Sequence, residues 1–276
     1  SAADINFVER AFPTSIAPNR DEGVEAWGDL ASGQLSYAVG VFNGTPDGGS
    51  VDVDTNNSKE LVARAFVTPF AKAKGDRLLK GFGGGLAISY TDQAGAFSTY
   101  KTSGQLGFFS YSSGVAAAGD RFRYSPQFYY YRGPLGVLGE YVRSQQDVRK
   151  GAAVEELSHE SWQLALSYFL TGERKAYRGV APLKSVEPGG GGGWGAWEVK
   201  ARFSDLRLDP HTFSGGFADP AKSAREARAW ALGLNWYLNR AYKFVFDYEQ
   251  TSFRGGAAIG DRPTEQTILT RLQVAF

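Results

Sequence analysis

Arg121 and Arg123, set two residues apart in GDRFRYSPQFYYYRG, are the residues whose type and spacing point most directly to chemistry. A guanidinium is a planar fork of donors that keeps its charge at any physiological pH, so it grips phosphate or carboxylate through two parallel hydrogen bonds. Residues i and i+2 of a strand share a face, which spaces these groups about 7 Å apart at ~3.3 Å per residue. Phe122, Tyr124, Phe128 and Tyr130 take the opposite parity, so one face is apolar and the other charged. Arg64 and Arg271 hold the polar parity of their own alternating segments. Catalytic and metal chemistry find less support. There are no cysteines and only two histidines, which excludes thiolate sites and leaves little for zinc. Asp52, Asp54 and Asn56 stand at calcium-loop offsets, but Asn57 replaces the turn glycine and Ala63 the bidentate glutamate. His159 and Ser161 share a face in a lipase-like pairing, with no orienting acid or amide at a readable spacing. The glycine run 189–193 is followed by no Lys-Ser/Thr and fits no phosphate loop. The sequence therefore predicts no enzyme, no cofactor and no metal site.

The elements that must carry these arginines are strands. With 30 Lys+Arg against 29 Asp+Glu in 276 residues, there is no basic excess to hold nucleic acid. A mean hydropathy of −0.31 and the lack of an 18-residue apolar run exclude a helical membrane span. They do not exclude a membrane barrel, whose lipid face hides in alternate residues. Alternation is the dominant pattern. Phe244, Phe246 and Tyr248 oppose Lys243, Asp247 and Glu249; Trp230, Leu232, Leu234, Trp236 and Leu238 oppose Ala231, Gly233 and Asn235; Trp197, Val199 and Phe203 oppose Glu198, Lys200 and Arg202. Eleven strands are predicted, at 22–30, 34–43, 59–69, 82–91, 120–132, 134–146, 158–171, 194–208, 227–238, 242–253 and 264–276. Many exceed the usual strand length of about 5–6 residues, and Trp or Tyr recurs near their ends, as aromatic girdles require. Connections alternate between short (31–33, 133–134, 239–241) and long (44–58, 92–119, 147–157, 209–226, 254–263), which predicts that the shortest turns share one side. The segment 172–193 is long for that side, and 105–112 is placed within a long loop on the other. The expected fold is an all-β, transmembrane antiparallel β-barrel. Single-chain bacterial barrels have even strand numbers, so eleven implies strands missing at the front. On the inner parity, seven cations (Arg64, Arg121, Arg123, Lys200, Arg202, Lys243, Arg271) face seven anions (Glu25, Asp29, Glu60, Glu140, Glu198, Asp247, Glu249). Charges that merely solvate a wet wall are the plain reading of such a balance.

FVERAFPTSIAPNRDEGV (7–24), GDRFRYSPQFYYYRGPLGVLGEYV (119–142), GGWGAWEVKARFSDLRLD (192–209), LGLNWYLNRAYKFVFDYEQTSF (232–253) and the closing TILTRLQVAF carry a resemblance to a known family. Over essentially all of 1–276 the chain resembles the phosphate- and polyphosphate-selective porins of Gram-negative outer membranes. The resemblance implies a homotrimer of barrels with about 16 strands each, of which this chain would hold the last eleven. Residues 1–21 would then be the third extracellular loop, folded inward as a constriction, ahead of the barrel strands and loops of 22–276. The loop 92–119 would be the fifth, which also bends inward. Arg10 and Arg20 flank that constriction, and Lys101 comes from the long loop, so both loops join Arg121, Arg123, Arg64 and Arg271 as anion-pathway candidates. The implied location is the bacterial outer membrane, with the lipid bilayer, lipopolysaccharide and small anions as partners. The implied function is passive diffusion of small anions, phosphate or polyphosphate foremost. A general, weakly selective porin and a non-conducting scaffold for other envelope proteins are the alternatives. Leu272, Val274 and Phe276 fit the C-terminal signature by which such barrels are recognised for insertion.

Overall fold

In the computed structural model the alternating segments pair into a single large antiparallel sheet. Residues 5–50, 58–75, 78–177, 179–187, 189 and 192–274 are described; Phe276 and the calcium-like positions Asp52, Asp54, Asn56 and Asn57 lie outside them. The strands are β1 (Gly23–Leu30), β2 (Leu35–Phe42), β3 (Glu60–Val67), β4 (Phe82–Gly95), β5 (Tyr100–Lys101), β6 (Gly107–Phe109), β7 (Val115–Arg132), β8 (Leu135–Lys150), β9 (Ala153–Phe169), β10 (Ala196–Arg207), β11 (Ala224–Tyr237), β12 (Tyr242–Gly255) and β13 (Glu265–Val274). Eleven of them form one sheet in chain order, β1 to β4 and then β7 to β13, while β5 and β6 make a separate hairpin. Among the described residues helix is confined to single turns, such as the 3-10 turn Phe12–Ile16 and α1 (His211–Ser214). The all-β antiparallel expectation is met. Closure is not seen: among the described residues the sheet ends at β1 and β13.

The two faces have opposite chemistry. Trp27, Trp230, Leu232, Phe244, Phe246 and Leu272 are exposed on one face, while Lys200, Asp247, Arg121 and Glu249 are buried on the other. This inverts a soluble sheet and suits a wall with hydrocarbon outside and a polar interior. Outward aromatic rings stack across neighbouring strands, Trp197 on Trp236 at 5.0 Å and Trp236 near Phe244 at 5.9 Å.

Connections fall at two ends. One end, the loop end, carries 43–59, 96–114, 151–152, 208–223 and 256–264; the other, the turn end, carries 31–34, 68–81, 133–134, 170–195 and 238–241. The expected long loop at 147–157 is a correction: β8 and β9 stay paired out to Lys150 and Ala153, and Gly151, with φ of 59°, closes a two-residue turn. Short turns therefore occur at both ends. The extension is held because Val148 and Leu157 pack inward on Phe217 of the 208–223 connection.

Two segments fill the inner face. Residues 5–20 cross it, burying Phe12 and Ile16 in a cluster with Phe108, Val142, Leu206 and Phe253. The connection 96–114, with the β5–β6 hairpin, folds in beside them, and Phe108 meets Phe12 edge-on at 5.5 Å. Gly104 at its tip lies so close to β13 that a Cβ would sit 2.2 Å from Glu265 Oε1.

Candidate solute passage on the inner face

Arg121 and Arg123 point to the inner side, but each ends on carboxylates. Arg121 Nη2 donates to Glu60 Oε2 at 2.9 Å, and Arg123 Nε donates to Asp47 Oδ1 at 2.7 Å with Nη1 on Glu60 Oε1 at 2.5 Å. Arg123 also reaches the Thr45 carbonyl, and Ser144 Oγ completes the shell of Asp47 at 2.8 Å. All four charged side chains are buried, with Arg121 at 2% and Arg123 at 4% exposure. Two cations thus meet two anions in a closed cluster that ties the 43–59 connection to β7 and β8. The two residues do not present free rungs of charge to the interior.

The wall of β10, β12 and β13 is likewise paired, and its remaining donors hold the N-terminal segment. Lys200 pairs with Asp247 at 2.6 Å and Arg202 with Glu249 at 2.7 Å. Gly233 leaves room for the first pair, since a Cβ there would meet Asp247 Oδ1 at 2.1 Å and Lys200 Cε at 2.4 Å. Lys200 also donates to the Asn6 carbonyl, Arg202 to that of Glu9 at 2.8 Å, and Lys243 to that of Ile5 at 3.2 Å. Arg271 reaches the carbonyls of Ile5, Phe7 and Val8 at 3.3–3.5 Å. Asp247 Oδ2 accepts the Val8 N–H at 2.6 Å, and the Phe7 ring lies 4.3 Å from both the Lys200 and Arg202 charges. The backbone of residues 5–9 is therefore held by wall side chains, while Ala17 and Asn19 bond the backbone of Gly48 and Gly49 and Arg20 bridges Ser50.

Segment 5–20 separates two cavities. The one towards the loop end has a volume of about 970 Å³ and is lined by Arg10, Arg20, Lys101 and Arg271, with Glu9 as its only carboxylate among the described residues. Hydroxyl and amide groups complete it, among them Thr14, Ser15, Asn19, Ser98, Thr99 and Gln105. The other, of about 390 Å³ and towards the turn end, is lined by Arg10, Lys175, Arg202 and Glu140 together with Tyr131 and Tyr177. Arg10 borders both. Its only side-chain partner among the described residues is the Asn19 amide oxygen, and Arg10, Arg20 and Lys101 are all exposed. Of the seven candidates, four therefore gather on one cavity. Arg121 and Arg123 stand behind it in ion pairs, and Arg64 lies on the wall with Nη2 on Gln127 Oε1 at 2.9 Å.

Sequence reasoning missed Asp47 and Lys175, because each reaches the inner face from a connection. Lys175 pairs with buried Glu198 and also donates to Asn6 Oδ1 at 2.9 Å. The lipase-like pairing has different work. The Asp209 N–H donates to His159 Nδ1 at 3.1 Å, which puts the neutral ring's proton on Nε2, facing Tyr111 Oη at 2.8 Å. Burial pushes the Tyr111 phenol well above its ordinary pKa, so it stays neutral beside the ring. Ser161 Oγ donates to the Asp205 carbonyl at 2.7 Å, so neither residue is available to the other. Among the described residues no three His, Asp or Glu side chains cluster to hold a metal.

Comparison with known proteins adds the following. The sequence model of the family described as phosphate-selective porin O and P matches residues 1–276. Porin O of Pseudomonas aeruginosa is 28% identical over 150 residues, covering 52% of this chain and 33% of that protein. An uncharacterized protein of Caulobacter vibrioides is 32% identical over 101 residues, 35% of this chain and 19% of the other. This chain thus spans a third or less of the length of these relatives in the matched regions. A solved porin structure superposes with a TM-score of 0.50 at 11% identity, covering 93% of this chain and 62% of that one, and so shares its fold.

Proposed function

This chain belongs to the phosphate-selective porin O and P family, and from that premise we propose that it lines a water-filled passage for small anions, with phosphate and polyphosphate the foremost solutes. It is a porin of the bacterial outer membrane. The observation that carries the selectivity is the loop-end cavity, where Arg10, Arg20, Lys101 and Arg271 converge against one carboxylate among the described residues. An anion shedding water in a narrow passage needs fixed donors along its route, and such charges act more strongly there than in bulk water. In this reading residues 5–20 and the β5–β6 hairpin form the constriction, with Arg10 at its divide. Arg121, Arg123 and Arg64 act from behind, by fixing the wall and the 43–59 connection. The physiological unit is a homotrimer whose barrels stand in the bilayer beneath lipopolysaccharide, each with about 16 strands once partner strands join β1 and β13. The paired wall charges favour a second reading, a general and weakly selective porin. Reversal potential in a salt gradient across a planar bilayer, with the full-length protein, separates the two. The anion reading expects anion preference that drops when Arg10 and Lys101 are both changed to Ala; cation preference in the parent protein would refute it.

A further inference from the structure

The turn-end cavity holds a feature that inorganic anions do not call for. Tyr131 and Tyr177 line it; Tyr129 stacks on Tyr131 at 4.6 Å and 9° and lies 5.9 Å from Tyr177; and Phe66 stacks on Tyr129 at 5.2 Å. The rings come from β3, β7 and the 170–195 connection, and Phe66, Tyr129 and Tyr131 share the inner parity of Arg64 and Arg123. They stack in a row on the polar side of the wall, with the Arg64 guanidinium 5.0 Å over Phe66, and present Tyr131 and Tyr177 to the cavity as an aromatic shelf. The face of an aromatic ring is electronegative, so a shelf of this kind repels bare phosphate and attracts the face or C–H edge of another ring.

Resting on the anion passage proposed above, we propose that this cavity binds phosphate monoesters that carry a single sugar or aromatic ring. Its volume of about 390 Å³ suits a small organic ligand. Arg10 supplies the charge for the phosphate end, because Lys175 and Arg202, the other cations on the cavity, already pair with Glu198 and Glu249. Glu140, held by Gln163 Nε2 at 2.9 Å, is the cavity's one carboxylate among the described residues and offers an acceptor for ring hydroxyls. Tyr177 is 59% exposed, so the shelf is open at its outer edge. A ring leaving the Arg10 divide would settle on Tyr131 and Tyr177 while its phosphate still faces the guanidinium.

The test is block of chloride current through the full-length protein in a planar bilayer, with phenyl phosphate and inorganic phosphate compared as blockers. One stacked aromatic contact corresponds to about twofold to tenfold in affinity, so phenyl phosphate should block at a correspondingly lower concentration. Tyr177→Ala should remove about threefold of that advantage and leave block by inorganic phosphate unchanged, and Tyr177→Phe should keep the advantage. Tyr177 is itself exposed and lies outside the strands, so the sheet does not depend on it. Equal block by the two compounds, or a Tyr177→Ala shift common to both, would overturn the ring site. Inorganic phosphate without any effect would instead refute the anion passage, and block by phenyl phosphate that still depends on Tyr177 would leave the ring site standing.

Discussion

Arg10 and Arg123 are the same side chain with opposite circumstances. Arg123 is buried between two carboxylates, whereas Arg10 is exposed on a cavity and, among the described residues, bonds only an amide oxygen. Removing a counter-charge from a buried cluster leaves an uncompensated ion, typically at a cost of about 3–5 kcal/mol. Glu60→Ala should therefore lower the temperature at which the folded form converts to the unfolded one on heat-modifiability gels, and an unchanged temperature would remove Glu60 from that role. Arg10→Ala should behave in the reverse manner. The fold should keep its stability, while anion preference drops about fourfold, the scale of one charge ~5 Å from a solute in a water-like medium. Strand parity made the inward direction of Arg121 and Arg123 legible in the sequence. Parity also put Glu60 of β3 on the inner face, but it did not give its pairing with residues 61 and 63 positions away across β4, and Asp47, 76 residues from Arg123, meets it only through the fold of a connection.

Among the elements, the inward hairpin has the clearest consequence. The 96–114 connection is tied down at several points: Thr102 Oγ1 to Glu265 Oε1 at 3.0 Å, Ser110 N to Ser223 Oγ at 3.2 Å, Arg262 Nη1 to the Gly107 carbonyl at 3.0 Å, and Tyr111 to His159. Replacing residues 100–109 by a short Gly-Ser link should raise single-channel conductance and reduce anion preference, since Lys101 leaves with the obstruction. Unaltered conductance would mean that the hairpin lies off the route. Gly233→Val should wedge Lys200 away from Asp247 and loosen the grip on Asn6 and Val8, so limited proteolysis should cut within residues 5–10 faster than in the parent. Alternation placed each sheet strand within a few residues, because a face that meets hydrocarbon admits few exceptions. It failed where strands leave that setting. The tips of β8 and β9, DVRKGAAVEE, are charged and glycine-containing like a loop, yet they stay paired over Phe217. The 170–195 connection showed its length but not its inward reach, which rests on Lys175 meeting buried Glu198 and on Tyr177 lying beside Tyr129 at the turn-end cavity.

At the scale of the whole molecule, an open sheet with an apolar outer face has two edges to satisfy. The outer N–H and C=O groups of β1 and β13 find no partner in hydrocarbon, and each unsatisfied group there costs several kcal/mol. Residues 1–276 expressed alone should therefore fail to form a stable, heat-resistant pore, whereas a longer chain supplying the partner strands should succeed. Stable conductance from residues 1–276 alone would refute this. The class of fold was legible at this scale because the polar-in, apolar-out inversion is written in every strand. The partition of the interior was not, since residues 5–20 have no periodicity of their own and take their place from wall donors such as Lys200, Lys243 and Arg271. The central claim is that solute passes the Arg10, Arg20 and Lys101 cavity and not the Arg121–Arg123 cluster. These 276 residues contain no cysteine, so single-cysteine accessibility tests the claim most directly. In the full-length protein, Arg10→Cys, Arg20→Cys and Lys101→Cys should each react with an anionic thiol reagent and lose anion current, while Arg121→Cys should stay inert to the reagent and keep the same current before and after its addition. Rapid modification of Arg121→Cys, with the other three inert, would contradict the account.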